Sequence, residues 1–212
     1  MTIQSDAQLE FISDTIPSSN TYIAARQPTV PGTSVTFTNT EFSNGSTRQI
    51  TVTAYTPAPA GYGSFIQGTD ANDEPIVEII TFPLTPGIPT TGNLYFKTII
   101  NAFAGGGTEI SIGMSNRVVQ TIPGRIRLKG YSVAYGPLSG AVAFYDGVIN
   151  MDTDLDVTPL SFTTYTYDTI NLMINFQIPG DGILYKNGLG VSYENGVTSN
   201  TSPIRMMNLF YG

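Results

Sequence analysis

Ile50-Thr51-Val52-Thr53-Ala54-Tyr55 decides the fold class. Apolar and polar residues alternate in it, and Ile50, Thr51, Val52 and Thr53 are all β-branched. A period of two belongs to a strand, with Ile50, Val52 and Ala54 on one face and Thr51, Thr53 and Tyr55 on the other. The same signal recurs outward from it. Val35–Thr38, Glu109–Met114 and Arg125–Lys129 alternate. Ala141–Tyr145, Leu172–Phe176 and Met206–Tyr211 are apolar and aromatic runs, and Ile76-Val77-Glu78-Ile79-Ile80 reads as a buried strand carrying one charge. Turn signals separate these runs: Asn44-Gly45, Pro57-Ala58-Pro59, Pro83 to Pro89, Gly105-Gly106-Gly107, Asp146-Gly147, Asp181-Gly182, Asn187-Gly188 and Asn195-Gly196. Asn-Gly and Asp-Gly supply the positive φ of tight hairpins. Parallel sheets need long crossovers, usually helical, and helical periodicity is confined to Ser5–Phe11, a short turn that Ser5 would cap within an irregular arm.

Ser115-Asn116-Arg117 follow an apparently complete strand, and Ile122-Pro123-Gly124 restart the pattern. The expectation is an all-β chain: an N-terminal arm over residues 1–19, then two tandem antiparallel β-sandwich or barrel modules, jelly-roll-like, over 20–116 and 117–212. A module of ~100 residues is long enough to bury its own core.

Composition narrows the chemistry. Cys, His and Trp are absent from the 212 residues. Without Cys there are no disulfides, and without Cys and His there are no thiolate or imidazole metal sites and no Ser–His or Cys–His catalysis. No cofactor is expected. Lys+Arg number 9 against Asp+Glu 16, a net charge of −7, which argues against nucleic acid as a partner because phosphate contacts need clustered cations. No run approaches ~18 apolar residues, so no membrane helix is expected. Met1-Thr2-Ile3-Gln4-Ser5-Asp6-Ala7-Gln8 lacks the basic start and apolar core of a secretory signal, so cytoplasmic synthesis is expected.

Gly68-Thr69-Asp70-Ala71-Asn72-Asp73-Glu74-Pro75-Ile76-Val77-Glu78 resembles a hairpin of small β-rich tailed-bacteriophage virion proteins. In that group a strand like Arg48–Thr53 precedes it, and segments like Phe96–Ile99 and Ile110–Gly113 follow; all stand here in that order. Asp73 replaces the usual Gly of the turn, and Asp tolerates positive φ better than most residues. Arg125–Val133, Ala143–Gly147, Ile178–Val191 and Asn208–Gly212 resemble a second module of such proteins. The resemblance implies a virion structural protein and carries over no catalytic residue.

Candidate sites are few. Asp152-x-Asp154-x-Asp156 has the alternate-oxygen spacing of the first half of a calcium loop, but Val157 stands where that loop needs Gly and Thr163 where it needs Glu. An exposed acidic loop is the simpler reading. Asp70, Asp73 and Glu74 form either a second oxygen cluster or an ordinary hairpin tip. No motif fixes a glycosidase carboxylate pair. Arg125, Arg127 and Lys129 share one face of a strand, either as a docking stripe for an acidic neighbour or as charge guarding an open edge or solvated face. Tyr131, Tyr135, Tyr145, Tyr165, Tyr167, Tyr185, Tyr193 and Tyr211 suit either contact surfaces or strands. With no catalytic constellation specified, the expected function is non-enzymatic, and the resemblance implies a virion protein assembled in the host cytoplasm, foremost an oligomeric capsid decoration or cement protein on the major capsid protein. The alternative is a tail-associated part, such as a tail-tube or nozzle component or a fibre-linked attachment protein.

Overall fold

A computed structural model describes residues 8–12, 18–42, 45–105, 107–135, 140–156, 161–165, 173–194 and 204–212. The chain is all β, in antiparallel sheets. In chain order the strands are β1 (Gln8–Ile12), β2 (Ser19–Pro28), β3 (Thr47–Ala54), β4 (Gly63–Thr69), β5 (Pro75–Thr81), β6 (Pro89–Phe96), β7 (Thr98–Ala104) and β8 (Glu109–Ile122). They continue with β9 (Ile126–Tyr135), β10 (Gly140–Asp146), β11 (Ser161–Tyr165), β12 (Met173–Gln177), β13 (Ile183–Tyr185), β14 (Leu189–Glu194) and β15 (Ile204–Tyr211). A 3-10 turn covers Asp152–Asp156. Two compact units result: Ser18–Val118 with Asn150–Val157, and Val119–Ile149 with Thr158–Gly212 and Met1–Pro17.

In the first unit β2, β8, β3 and β6 lie side by side, and β5, β4 and β7 form a separate sheet. β3 is buried at every position, where its alternation predicts only one buried face. Neighbours on both sides and cover on both faces account for this, and Thr suits such a place because its methyl packs while its hydroxyl is small. The Thr51 and Thr53 hydroxyls have no hydrogen-bond partner among the described residues. Arg48 is also fully buried, and its Nη1 donates to the Ser115 carbonyl at 3.0 Å. The core joins Ile50 and Val52 to Ile66, Tyr95, Phe96, Ile99, Ile110 and Ile112.

Two glycines let main chains meet in this unit. A Cβ on Gly113 would stand 1.8 Å from the Ser19 carbonyl oxygen of β2, and one on Gly68 would stand 2.0 Å from the Thr98 oxygen of β7. Both spots coincide with breaks in register. β2 slips against β8 between Ser19 and Ala24, and β7 carries Ile100 as an extra residue between the partners of Gln67 and Gly68. Bulges of this kind bend the strand that carries them.

In the second unit β1, β15, β9 and β12 are neighbours in that order, β13 also pairs with β9, and β11, β10 and β14 form a further run. Tyr131 of β9 packs on Phe144 of β10, ring centroids 4.9 Å apart and tilted by 49°. Leu128, Val133, Val142, Leu189, Val191, Met207 and Leu209 fill the space around them.

Three expectations are corrected. Gln8–Ile12 are neither helical nor irregular: they pair antiparallel with β15, from Gln8↔Tyr211 to Ile12↔Met207. So short a helix is marginal in water, whereas an open strand satisfies the same backbone groups. The proposed linker at 115–124 lies mostly within β8, where Val118 and Val119 are fully buried, and the units divide between these two residues. The units are not consecutive in sequence either, since Asn150–Val157 returns to the first. Finally, Ile76–Ile80 is not a strand buried on both faces: Val77 and Ile79 are 48 % and 69 % exposed, and Glu78 is half-buried.

Gly68→Ala should destabilise the protein by about 1–3 kcal/mol or more, the cost of forcing an extra carbon into packed space. Urea unfolding of the two proteins measures it, and an unchanged midpoint would mean that β7 moves aside freely.

Candidate functional site

The basic residues come first. Arg125 precedes β9 in an exposed turn, Arg127 is half-buried and Lys129 is exposed. β9 pairs with β15 on one side and with β12 and β13 on the other. It is an interior strand, so the idea that these cations guard an open edge is corrected. Nor do the three form a clean stripe. Gly130 pairs with Phe210 and Leu128 with Tyr211, which leaves Lys129 as an extra residue in the ladder with β15, while on the other side its carbonyl accepts from the Ile178 N–H at 2.9 Å. A bulge resets the alternation, and this is why Leu128 and Tyr131, three apart, are both buried. Arg127 is held by its main chain, whose N–H and C=O pair with Gly212 at 3.1 and 3.2 Å, and its Nη1 reaches the Asp181 carbonyl at 3.5 Å.

A groove of about 520 Å³ opens beside Lys129, lined also by Gly130, Tyr131, Asn175, Phe176, Gln177 and Phe210. Register explains it. Gln177, Gly130 and Phe210 stand in one row across β12, β9 and β15, and Asn175, Ser132 and Asn208 stand in the next row on that face. Gly130 cannot be enlarged, since its Cβ would come within 2.6 Å of the Phe176 carbonyl oxygen. The row is thus floored by backbone, with a ring on one side and an amide on the other. Phe210 is 42 % exposed, and Phe176 stacks on Tyr131 at 4.9 Å.

The acidic residues are mostly occupied. Asp70 is 3 % exposed, and its Oδ1 accepts from the Asn72 N–H at 2.8 Å and the Glu74 N–H at 3.0 Å. It therefore braces the β4–β5 turn from inside. Asp73 holds that turn with φ of +64°, the conformation in which Gly is usual, and its carboxylate meets Lys97 Nζ at 2.7 and 2.8 Å. In the 3-10 turn, Asp152 pairs with Arg117 at 2.8 Å, and Asp154 Oδ2 accepts from the N–H groups of Asn150 and Met151 at 3.0 and 3.2 Å. The Asp156 side chain lies outside the described residues. Among the described residues no three metal-ligating side chains converge; Asp154 braces its own turn, and Asp152 ties that turn to Arg117 of β8. Arg26 pairs with Glu109 and lies 4.3 Å over the Tyr55 ring; the hydrogen bond to Glu109 raises its already high pKa.

Glu78 is the acid that sequence reading passed over. β6 gains two residues against β3 between Tyr95 and Thr91, the partners of Gln49 and Thr51. The N–H groups of Asn93 and Leu94 in that stretch donate to Glu78 Oε1 at 2.5 Å and Oε2 at 3.3 Å. A Cβ on Gly92 would collide with the same carboxylate. Burial pushes the Glu78 pKa up, and the two N–H donors restrain the rise. Because Glu78 turns inward, Val77 and Ile79 turn outward. Ile79 then lies beside Phe65, which lies beside Phe103 with ring centroids 6.1 Å apart. This makes an apolar row across the outer face of the β5–β4–β7 sheet.

The tyrosines divide. Tyr131, Tyr145, Tyr185 and Tyr193 are buried in the core, Tyr131 also bordering the groove beside Lys129, and Tyr211 is partly exposed. Burial raises the Tyr185 pKa beyond the usual phenol range. The side chains of Tyr135 and Tyr165, and all of Tyr167, lie outside the described residues.

No protein-family model, curated protein or solved structure matches the chain.

Glu78 sets a pH dependence. A carboxyl whose folded pKa is raised binds protons more tightly when folded, so its contribution to stability is greatest below the ordinary glutamate value of ~4.3 and is lost as pH rises through the raised value. The stability of the natural protein relative to Glu78→Gln should therefore fall between acid and neutral pH. Urea midpoints of both proteins across that range measure it, and a constant difference would contradict the upward shift.

Proposed function

We propose that this chain is a non-enzymatic structural protein of a tailed-phage virion, with capsid decoration as the preferred role. The observation that carries the reading is what the acidic groups do. Asp70, Glu78 and Asp154 accept main-chain N–H groups, and Asp73 and Asp152 pair with Lys97 and Arg117. Carboxylates engaged in holding turns and bulges build a scaffold, whereas acid–base catalysis needs one positioned toward a substrate proton.

The surfaces support the same reading. An apolar row containing Phe65 and the exposed Ile79 is the kind of patch that marks association between proteins. Arg125 and Lys129 are exposed on a chain of net charge −7, where cations orient an acidic neighbour. The partner in this reading is the major capsid protein or another virion protein, with the chain itself oligomeric. The resemblance of residues 48–116 and 124–212 to phage virion modules points the same way.

Gold-labelled antibody applied to intact particles tests the proposal. Label on the head is expected. Label on the tail would replace decoration by the tail-associated role, and particles without label would overturn the virion assignment. Replacing Arg125, Arg127 and Lys129 by Ser should reduce incorporation into particles. The isolated protein should stay folded, since surface substitutions usually change stability by less than ~0.5 kcal/mol.

A further inference from the structure

We propose that the groove beside Lys129 binds a glycan, with one pyranose ring against Phe210 and a carboxylate of the sugar beside Lys129. The inference does not depend on the virion reading. Its basis is a set of groups whose chemistry matches an acidic sugar and which three neighbouring strands bring together.

Phe210 and Gln177 face each other across Gly130, where the floor is bare backbone. A pyranose is a flat body with an apolar C–H face and a polar rim. An exposed aromatic ring offers such a face its electron-rich surface. The rim needs groups that both donate and accept, and the side-chain amides of Asn175 and Gln177 do both. They stand two residues apart on the same face of β12, roughly 7 Å along the strand, a spacing that reaches hydroxyls at two points of one ring or of adjoining rings. Both are exposed. Lys129 adds a cation, as the extra residue in the ladder with β15.

The size of the groove fits as well. The volume, about 520 Å³, lies within the range of small-molecule sites and suits one or two sugar rings. An acidic peptide would satisfy Lys129 and the amides but offers the Phe210 ring no flat C–H face.

The test is a titration of the purified full chain with tetragalacturonate, and in parallel with maltotetraose and an oligoglutamate peptide, followed by calorimetry. Tetragalacturonate should bind, and maltotetraose should bind more weakly. Phe210→Ala should weaken tetragalacturonate binding by about tenfold, as expected for loss of an aromatic contact. Lys129→Gln should remove the preference for the acidic sugar and the salt dependence that accompanies it. Both side chains are exposed, so both variants should keep the parent far-ultraviolet spectrum. No binding at millimolar sugar, equal binding of both sugars, binding of oligoglutamate in place of sugar, or binding indifferent to both substitutions would overturn the proposal.

Discussion

A strand has two faces, and placing one residue places its neighbours. Glu78 shows how much follows from that. Its carboxylate accepts the N–H groups of Asn93 and Leu94, which the irregular stretch of β6 withdraws from the ladder with β3. The part-buried Leu94 N–H would otherwise cost up to about 1–3 kcal/mol if left unpaired. With Glu78 turned in, Val77 and Ile79 have nowhere to go but out. The exposed apolar row across the β5–β4–β7 sheet is thus the reverse side of a hydrogen-bonding need. An inward charge on a strand that pairs on one side only, with β4 among the described residues, also discourages unwanted edge-to-edge association. The same residue therefore exposes a face and protects an edge.

The first unit and the second solve close approach in similar ways. Gly68, Gly113 and Gly130 each lie where a neighbouring carbonyl occupies the space of a side chain, and each sits at or beside a break in strand register. Such contacts pin the bulges in place. In the second unit the result is a bare patch of backbone flanked by Gln177 and Phe210; in the first it is a tight pass of β4 against β7. Scaffold and surface come from one device. Beside Gly130 the exposed Lys129, Asn175, Gln177 and Phe210 are left for contact, and on the first unit Ile79 is.

Much of this was legible in the sequence, and the limits are physical. Alternation at Ile50–Tyr55 and the Asn-Gly and Asp-Gly pairs sufficed for an antiparallel all-β chain, because both signals are local. At Asp73 the sequence offered only a residue that tolerates positive φ, and the structure gives it φ of +64°. The face that Ile76–Ile80 turns inward was not legible: apolar residues stand at both parities, and the deciding partner is the backbone of residues 93 and 94. Nor was the interior place of β9 legible. Its partners, β12, β13 and β15, come later in the chain, and alternating cations on one face suit an edge as well as a centre. The groove was hidden further, since it needs Gly130, a bulge at Lys129 and residues from three strands at once. Arg125, Arg127 and Lys129 were singled out as one stripe, but the bulge divides them.

The pairing of β1 with β15 bears on how the molecule is made. Residues 8–12 emerge from the ribosome early, and residues 207–211, their partners, emerge about two hundred residues later. At ~5–20 residues per second the wait is roughly 10–40 s, during which β1 has no sheet to join. Asn150–Val157 imposes a smaller delay on the first unit, because this segment follows a stretch of the other unit in synthesis. Contacts so distant in sequence are slow to form, since a long loop must close before any of them is made. The second unit can therefore complete its sheet only after β15 has been released.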